Sequence, residues 1–327
     1  MTFNILLLFQ VFMISKIQIT EAHQKIAPYI HRTPVLTNTY LNTLSGANLY
    51  FKCENFQKIG AFKARGAVNA ALNLSQEQIQ NGICTHSSGN HAQAIAYAAK
   101  ILGAKAYIVM PKNAPQVKIN AVVDYGAQVI FCEPNLPARE AAVEKIIQET
   151  GAYFIHPFNN QDVITGQATC AKELLEDHPE LQVILAPVGG GGLFAGTCLS
   201  SHYFGRQTLA IGAEPEGAAD AVLSFKSGKL EQAPYIDTIA DGLLTGLGEL
   251  TLDIIRQHAS DILLVSEDEI KHAMRLVYER LKIVVEPSCV VPLAAVLRNK
   301  ALFAGKHVGI ILTGGNIDLD KMATYLS

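Results

Sequence analysis

The chain has 327 residues, 49% of them hydrophobic and 17% charged, which is enough apolar side chain for one large or two medium domains and too much for a disordered protein. The net charge of −3 at pH 7, without any block of basic residues, argues against nucleic acids and anionic membranes as partners. The 6 cysteines are irregularly spaced and form no CxxC pair, so we interpret them as reduced, mostly buried thiols rather than a zinc site.

The N-terminal segment is strongly apolar from Met1 to Met13, but it is too short to span a bilayer as a helix. A signal peptide would carry positive charge before its apolar segment, and here the first lysine is Lys16. We therefore interpret residues 1–12 as an extension, with the true start at Met13, and expect a cytoplasmic protein without a membrane partner.

From Asn48 onward, short apolar or β-branched segments alternate with alanine-rich segments of helical periodicity. The predicted strands are Leu49–Cys53, Ile83–Thr85, Ala106–Met110, Gln128–Phe131, Tyr153–Ile155, Val183–Pro187, Leu209–Ala213, Ile262–Val265 and Val308–Leu312. The predicted helices include Ala64–Leu74, His91–Leu102, Pro115–Tyr125, Pro137–Thr150, Val163–Glu176, Ser266–Leu281 and Pro292–Leu297. This alternation is typical of α/β proteins whose parallel sheets are covered by helices on both faces, and so many strands require two sheets.

The segment from Gly82 to His156 reads as a compact βαβαβαβ unit. We predict a small domain over residues 82–156, inserted in a discontinuous large domain over 13–81 and 157–327. Ligands of parallel sheets bind at the carboxyl ends of the strands, so functional residues are expected in the turns from strand to helix.

The first such turn is Lys58-Ile-Gly-Ala-Phe-Lys-Ala-Arg-Gly66, which places Lys63 at the start of a helix. The helix dipole disfavours a cation there and lowers the pKa of the lysine. A neutral amine is what Schiff-base formation requires, so Lys63 is a candidate nucleophile. The alternative is a solvated lysine beside an ordinary turn.

The second turn is Ser87-Ser88-Gly89-Asn90-His91, between a predicted strand and the next predicted helix. Serine and asparagine are common N-cap residues, and capping is the simplest interpretation. The same hydroxyl and N–H groups at a helix N-terminus also bind carboxylates, and an amino-acid substrate carries one.

The third turn is Gly189-Gly-Gly-Gly192, where the backbone can approach a bulky anion and direct several N–H groups at it. We predict phosphate binding, although no Gly-Lys-Ser/Thr follows as in a P-loop. A loose dinucleotide fingerprint, Gly190-x-Gly192-x-x-Ala195 with Glu214 as ribose ligand, is an alternative. In the fourth turn, Leu312-Thr-Gly-Gly-Asn316, the Thr313 hydroxyl is a candidate partner for a buried polar atom of a ligand.

Together these turns resemble the serine/threonine dehydratase and serine racemase family of fold-type II pyridoxal-phosphate enzymes. The resemblance runs in family order from His31 to Leu319, in the segments ENFQKIGAFKARGAVNA, THSSGNHAQAIAYAAK, PVGGGGLFAG, IGAEPEGAAD, IADG, EPSCVVPLAAV and LTGGNIDL. It implies a tryptophan synthase β-like fold of two doubly wound parallel-sheet domains with the active site between them. It also implies pyridoxal 5'-phosphate as cofactor, and we expect a homodimer.

The resemblance also implies roles for individual residues. Lys63 would carry the cofactor as a Schiff base and act as the base at Cα, and Ser88 would lie on the opposite face, where family racemases reprotonate Cα. The implied cofactor-binding residues are Phe62, Lys63, Asn90, Gly189, Gly190, Gly191, Gly192, Leu193, Gly242, Glu286 and Thr313. The implied substrate-binding residues are Ser87, Ser88, Gly89, Asn90 and His91. Glu214, the Ala218 carbonyl and Asp220 match a divalent-cation site of the family, whose oxygen ligands suit Mg²⁺, Ca²⁺ or Mn²⁺.

A neutral Thr313 at the pyridine nitrogen makes the cofactor a weaker electron sink than an aspartate would, which favours β-elimination over transamination. We therefore expect an ammonia-lyase that converts L-threonine or L-serine to 2-oxobutyrate or pyruvate. The alternatives are a serine racemase that uses Lys63 and Ser88, a hydroxyaspartate dehydratase and a cysteine-synthase-like β-replacement enzyme. A dinucleotide-dependent oxidoreductase and a non-catalytic amino-acid-binding module are the alternatives outside the family.

Overall fold

A computed structural model of the chain describes residues 14–114 and 116–326. The N-terminal extension predicted over residues 1–12 and the first residue of the predicted helix Pro115–Tyr125 lie outside the described residues. In the described part the chain forms two sheets with helices packed on their faces, which confirms the α/β class.

The strands are β1 (Val35–Leu36), β2 (Asn48–Cys53), β3 (Ile83–His86), β4 (Ala106–Pro111), β5 (Gln128–Cys132), β6 (Tyr153–Phe154), β7 (Val183–Pro187), β8 (Leu209–Pro215), β9 (Asp261–Val265) and β10 (His307–Leu312). The helices are α1 (Lys16–Ile26), α2 (Thr39–Ser45), α3 (Lys63–Leu72), α4 (Gln76–Asn81), α5 (Asn90–Leu102), α6 (Gln116–Asp124), α7 (Leu136–Thr150), α8 (Gln161–Asp177), α9 (Gly192–Phe204), α10 (Asp220–Ser227), α11 (Glu249–His258), α12 (Glu267–Leu276), α13 (Pro287–Arg298), α14 (Lys300–Phe303) and α15 (Leu319–Leu326). None of the described helices is long and apolar enough to cross a membrane.

The larger sheet has the strand order β1-β2-β10-β7-β8-β9, with β1 antiparallel and all other neighbours parallel. Alternate residues of β7 point to opposite faces. Val183 and Leu185 pack in an apolar cluster with α12 and α13, whereas Ile184 and Ala186 pack in a second cluster with α8 and α9. Because the strands are parallel, the turns that follow β2, β7 and β10 lie along one edge of the sheet.

The smaller sheet has the order β5-β4-β3-β6 and is parallel throughout. Ile83 and Ile108 pack against α5 on one face, whereas Cys84 and Val109 pack against α7 on the other. All four strands fall within residues 82–156, although the domain boundaries themselves stay a prediction. All 6 cysteines lie in the described part of the chain, where each is buried and unpaired.

Several predicted helix ends are wrong, because apolar periodicity marks the buried face of a helix and not its caps. The helix predicted to begin at Pro292 begins at Pro287, with Glu286 as N-cap and Pro292 inside it. Proline is favoured at the first helical position, where its missing N–H would have no partner. The helix predicted over Ser266–Leu281 has Ser266 as a capping-box residue outside it and continues beyond Leu276 as a π-helix over Val277–Leu281.

Candidate active site

One pocket collects residues that follow strands of both sheets. Its lining residues are Phe62, Lys63, Asn90, Phe158, Pro187, Gly189, Gly190, Gly191, Gly192, Leu193, Gly242, Leu243, Glu286, Ser288 and Thr313. The structure therefore brings together around one space all the residues that the sequence assigned to cofactor binding. Asn90 begins α5, which follows β3 of the smaller sheet, and Phe158 follows β6 of the same sheet, whereas the glycine loop and Thr313 follow β7 and β10 of the larger sheet.

Lys63 begins α3 and is the basic group of the pocket. Its Nζ donates a hydrogen bond of 2.8 Å to the Pro157 carbonyl and lies 5.3 Å from the centre of the Phe62 ring. Burial lowers the pKa of the amine to about 8. At pH 7 a pKa of about 8 leaves about a tenth of the amine neutral, against less than about a thousandth for an ordinary lysine. The helix dipole at the start of α3 was expected to lower the pKa of Lys63, and this pKa is lowered, but the largest cause is burial.

The glycine loop from Gly189 to Gly192 is buried and connects β7 to α9. A Cβ atom at Gly190 would overlap the Phe158 ring, and Gly191 has a φ of +83°. No side chain fits in these positions. The amide groups of Gly189, Gly190 and Gly191 donate no hydrogen bond to the described residues, although buried amides are almost always paired.

Partnerless amides at a helix N-terminus are a binding site for an anion. The loop therefore fits the phosphate group of a cofactor, and a cofactor attached to Lys63 would bring its phosphate into this same pocket.

A polar chain crosses the pocket opposite the glycine loop. Asn90 Nδ2 donates to Glu286 Oε1 at 2.9 Å, and Asn316 Nδ2 donates to Asn90 Oδ1 at 2.8 Å. Burial, and then the charge of Asp241, raises the pKa of Glu286 to about 8, so this carboxyl group is protonated at neutral pH. Thr313 is 3% exposed, and its hydroxyl group has no hydrogen-bond partner among the described residues, which leaves it free for a ligand in the pocket.

The residues of the segment predicted to bind substrate, Ser87 to His91, have different environments in the structure. The N-cap of α5 is Gly89, and no side chain caps the helix, so the capping interpretation of Ser88 and Asn90 is wrong. Ser87 Oγ accepts a hydrogen bond from the Gly89 amide at 3.2 Å. The Ser88 hydroxyl group is half-buried and makes no hydrogen bond with the described residues.

Of the segment Ser87 to His91, only Asn90 lines the pocket, and the His91 side chain is packed in the interior. It is 3% exposed, and its Nε2 lies 3.3 Å from the Ile155 carbonyl. Burial, and then the charge of Lys63, lowers the pKa of His91 well below its usual value, so the ring is neutral. The predicted contact of the His91 side chain with substrate is therefore not supported by its position.

The residues predicted to hold a cation are buried rather than solvated. Glu214 Oε1 and Oε2 accept hydrogen bonds from the amides of Ala221 (2.8 Å) and Val222 (3.0 Å), at the start of α10. This position overturns the alternative role of Glu214 as a ribose ligand, because the carboxylate is held inside the fold. Burial raises the pKa of Glu214 to about 8 and that of Asp220 to about 6.

Asp220 Oδ2 is buried without a hydrogen-bond partner among the described residues. Ala218 is 1% exposed and closes the short 3₁₀ turn Glu216–Ala218 that leads to α10. Carboxyl oxygens are donors that suit a hard divalent cation, although the described residues contain no group of three or more His, Cys, Asp or Glu side chains that could hold a metal ion.

Four pocket residues were not predicted: Phe158, Pro187, Leu243 and Ser288. Ser288 Oγ accepts a hydrogen bond of 2.9 Å from the Gly242 amide and so holds that glycine at the pocket. An ion pair of 2.7 Å between Lys118 on α6 and Asp241, next to Gly242, also joins the smaller sheet to this turn. Ser288 could have been found from its position in the first turn of α13, two residues after Glu286, whereas Phe158 has no sequence signal of its own.

Comparison with known proteins gives matches over nearly the whole chain. Residues 26–314 match the family described as pyridoxal-phosphate dependent enzymes. The beta-hydroxyaspartate dehydratase of Paracoccus denitrificans is 50% identical over 301 residues, covering 92% of this chain and 96% of that protein. A serine racemase of Dictyostelium discoideum is 48% identical over 313 residues, covering 94% and 97%. The crystal structure of the T.th. threonine deaminase has a TM-score of 0.89 at 42% identity, covering 94% and 99%.

Proposed function

The chain belongs to the pyridoxal-phosphate dependent enzyme family, and on that premise we propose that it is an ammonia-lyase that removes water and then ammonia from L-serine or L-threonine. The matches confirm the predicted family and its fold-type II architecture. The three relatives are named for serine, threonine or hydroxyaspartate. These amino acids share a hydroxyl group on Cβ, the group that a dehydratase eliminates.

The observation that carries the proposal is the buried amine of Lys63 in one pocket with partnerless glycine amides. When bound, pyridoxal phosphate withdraws electrons from the Cα of an amino acid, which makes the Cα proton removable. Lys63 would hold the cofactor, Gly189 to Gly192 its phosphate, and Thr313 would face the ring nitrogen. With its pKa of about 8, the Lys63 amine is able to take the Cα proton near neutral pH.

Whether the substrate then undergoes β-elimination or transamination depends on the group that faces the ring nitrogen of the cofactor. Thr313, which would face the ring nitrogen, carries no charge, and a neutral partner there would favour loss of the β-hydroxyl group over transamination. The hydroxyl group would take up the proton that the Lys63 amine removed from Cα and leave as water, and water would then hydrolyse the released enamine to a 2-oxo acid and ammonia.

We expect the purified holoenzyme to release ammonia and 2-oxo acid in equal amounts from L-serine, L-threonine or both. The measurement is the product mixture from these two amino acids and from L-threo-3-hydroxyaspartate, each supplied alone. Oxaloacetate as the dominant product would move the assignment to a hydroxyaspartate dehydratase. A cofactor-loaded enzyme that forms no 2-oxo acid from any of the three would contradict the proposal and leave racemisation, β-replacement or binding without turnover.

Serine racemisation is the second candidate, because the Ser88 hydroxyl group is engaged by no described residue and is therefore available to hold a proton for Cα. The relative from Dictyostelium discoideum, at 48% identity, is named for this reaction. The homodimer and the cytoplasmic location stay predictions.

We further propose that Glu214, the Ala218 carbonyl and Asp220 bind a divalent cation. Because the cation would bind the folded chain only, it should stabilise it, by about 2.7 kcal/mol when the free cation is at 100 times its Kd. We expect EDTA to lower the melting temperature of metal-loaded protein by several degrees, and Mg²⁺, Ca²⁺ or Mn²⁺ to restore it.

The matched variants are Asp220→Asn, which should lose this response, and Asp253→Asn on the exposed face of α11, which should keep it. EDTA that leaves both the melting temperature and the reaction rate of metal-loaded protein unchanged would rule the cation site out.

A further inference from the structure

A group of buried charged side chains lies behind the helix that carries Lys63. We call it the Arg65 network, and it consists of Lys52, Glu54, Arg65 and Glu173, each no more than 1% exposed. Arg65 forms a forked contact of two hydrogen bonds with the Glu54 carboxylate, in which Nε donates at 2.7 Å and Nη2 donates at 2.8 Å. It bonds Glu173 with a second fork, through Nη1 and Nη2, both at 2.8 Å.

Further contacts extend the network, and His23 Nε2 lies 3.2 Å from Glu173 Oε1 at its edge. Lys52 Nζ donates to Glu173 Oε2 at 2.7 Å and to the Thr33 carbonyl at 2.8 Å, and Thr33 Oγ1 donates to Glu54 Oε1 at 2.5 Å. Arg65 Nη1 also donates to Thr169 Oγ1 at 3.2 Å. The network therefore links β2 and the turn after it to α3 and to α8.

The two carboxylates hold the pKa of Arg65 well above its usual value, and the basic neighbours lower the pKa of Glu54 and Glu173, so these three side chains are charged although burial opposes it. Burial alone would raise the pKa of Glu54, but the nearby Arg65 and Lys52 outweigh it and lower that pKa. Buried ion pairs stabilise a fold little compared with apolar residues of the same size, because each ion loses its hydration. The two forked contacts instead fix the orientation of the Arg65 side chain relative to Glu54 and Glu173.

This fixed orientation matters at the point where α3 crosses α8. A Cβ atom at Gly66 would lie 2.7 Å from the Val163 carbonyl oxygen, and one at Gly166 would lie 2.6 Å from the Arg65 carbonyl oxygen. The two helices therefore touch through their backbones, which sets their separation. Arg65, anchored to Glu54 on one side and to Glu173 on the other, adds a polar restraint on the rotation of α3 about its own axis.

Lys63 and Arg65 are two positions apart on α3, about 200° around its axis, so one faces the pocket and the other faces away from it. A rotation of the helix by about 10° would move the Lys63 amine by on the order of 1 Å. A displacement of that size costs about 100-fold in reactions that depend on positioning.

We propose that Arg65 is a positioning residue, which fixes the rotation of α3 through Glu54 and Glu173 and thereby the place of the Lys63 amine in the pocket. The proposal rests on the proposed role of Lys63 in holding the cofactor. It adds to the reactive lysine the residues that fix its position, which are Arg65, Glu54 and Glu173.

The test is Arg65→Lys in the full-length holoenzyme, because lysine keeps the charge but is unable to form either fork. We expect kcat per bound cofactor to fall at least tenfold while KM changes less than threefold. We also expect the cofactor to dissociate at least tenfold faster, measured from its visible absorbance after dilution. A merely structural role would lower the melting temperature and leave these two quantities unchanged.

The matched control is Arg32→Lys. Arg32 also pairs with α8, through Glu176 and Asp177, but its side chain is 47% exposed. Exposed ion pairs contribute little, so this variant should keep the kcat, KM and cofactor dissociation of the parent within twofold.

The outcomes separate the two proposals. Borohydride trapping followed by peptide mapping shows whether the parent carries its cofactor on Lys63, and a negative result would overturn the proposed function itself. If the parent does carry it, and folded Arg65→Lys behaves like Arg32→Lys, the positioning role is wrong and the proposed function stands. Should Arg65→Lys fail to fold, Glu54→Gln decides, because it weakens one of the two forks of Arg65 and keeps the size and shape of the side chain. A lower kcat with faster cofactor dissociation in that variant supports the proposal, and parental values overturn it.

Discussion

Replacing Lys63 with alanine is expected to remove the visible cofactor band and the turnover together. The amine would be both the attachment point of the cofactor and the base at Cα, and the described residues that line the pocket include no second lysine to which the cofactor could be attached. Loss of a positioned acid or base alone lowers rates by about 10²–10⁴-fold, and loss of the attachment should lower them further. The measurements are the absorbance spectrum of dialysed protein and the release of ammonia from L-serine and L-threonine.

The control for this prediction is Lys58→Ala. Lys58 lies five positions earlier in the same turn and is half-buried, but it does not line the pocket. It should keep both the cofactor band and the turnover. A Lys63→Ala variant that stays yellow and active would show that the cofactor is attached elsewhere, and the proposed function would then fail.

The turns around the pocket could be predicted because they follow from one physical rule. Parallel strands present their carboxyl ends at one edge, so unusual residues directly after predicted strands, such as the glycine loop and Thr313, had to lie near one another. Lys63 and Glu286 sit close to helix starts, and a resemblance to known motifs added their roles. Their common position around one pocket agrees with that reasoning, although their roles stay proposals.

The Arg65 network could not be predicted in the same way. Arg65 and Glu173 are separated by 108 positions, and their pairing depends on how α3 crosses α8. Charged residues are mostly solvated, so a sequence pattern favours the surface for all four members of the network. Gly66 and Gly166 were the only hint, since a glycine within a helix often marks the close approach of another backbone.

The interpretation of Ser88 as a helix N-cap proved wrong for a similar reason, because the sequence does not fix the position of the helix start. Serine before a helix is usually an N-cap, and the sequence does not tell whether the helix begins one residue earlier or later. In the structure Gly89 is the N-cap, so the Ser88 hydroxyl group has no structural bond to lose. A substitution at this position should therefore report on chemistry rather than on helix stability.

Ser88→Ala is expected to abolish the formation of D-serine while pyruvate is still formed from L-serine. Racemisation requires a proton donor on one face of Cα and a base on the other, because a single lysine returns the proton to the face it left. Elimination requires only Lys63. Since the hydroxyl group caps no helix, the melting temperature should stay close to that of the parent. The measurements are the enantiomers of residual serine and the amount of pyruvate, at the same time points.

The decisive quantity is the ratio of racemisation to elimination, because a weaker grip on the substrate carboxylate lowers both rates and cancels in the ratio. Ser87→Ala provides the comparison. Ser87 Oγ accepts the Gly89 amide at 3.2 Å and shapes the same turn, so this variant should slow both reactions to a similar degree and keep the ratio. If Ser88→Ala also keeps the ratio, the proton that reaches the second face does not come from Ser88. If the parent forms no D-serine at all, racemisation is excluded, and elimination by Lys63 accounts for the reaction without a second proton donor.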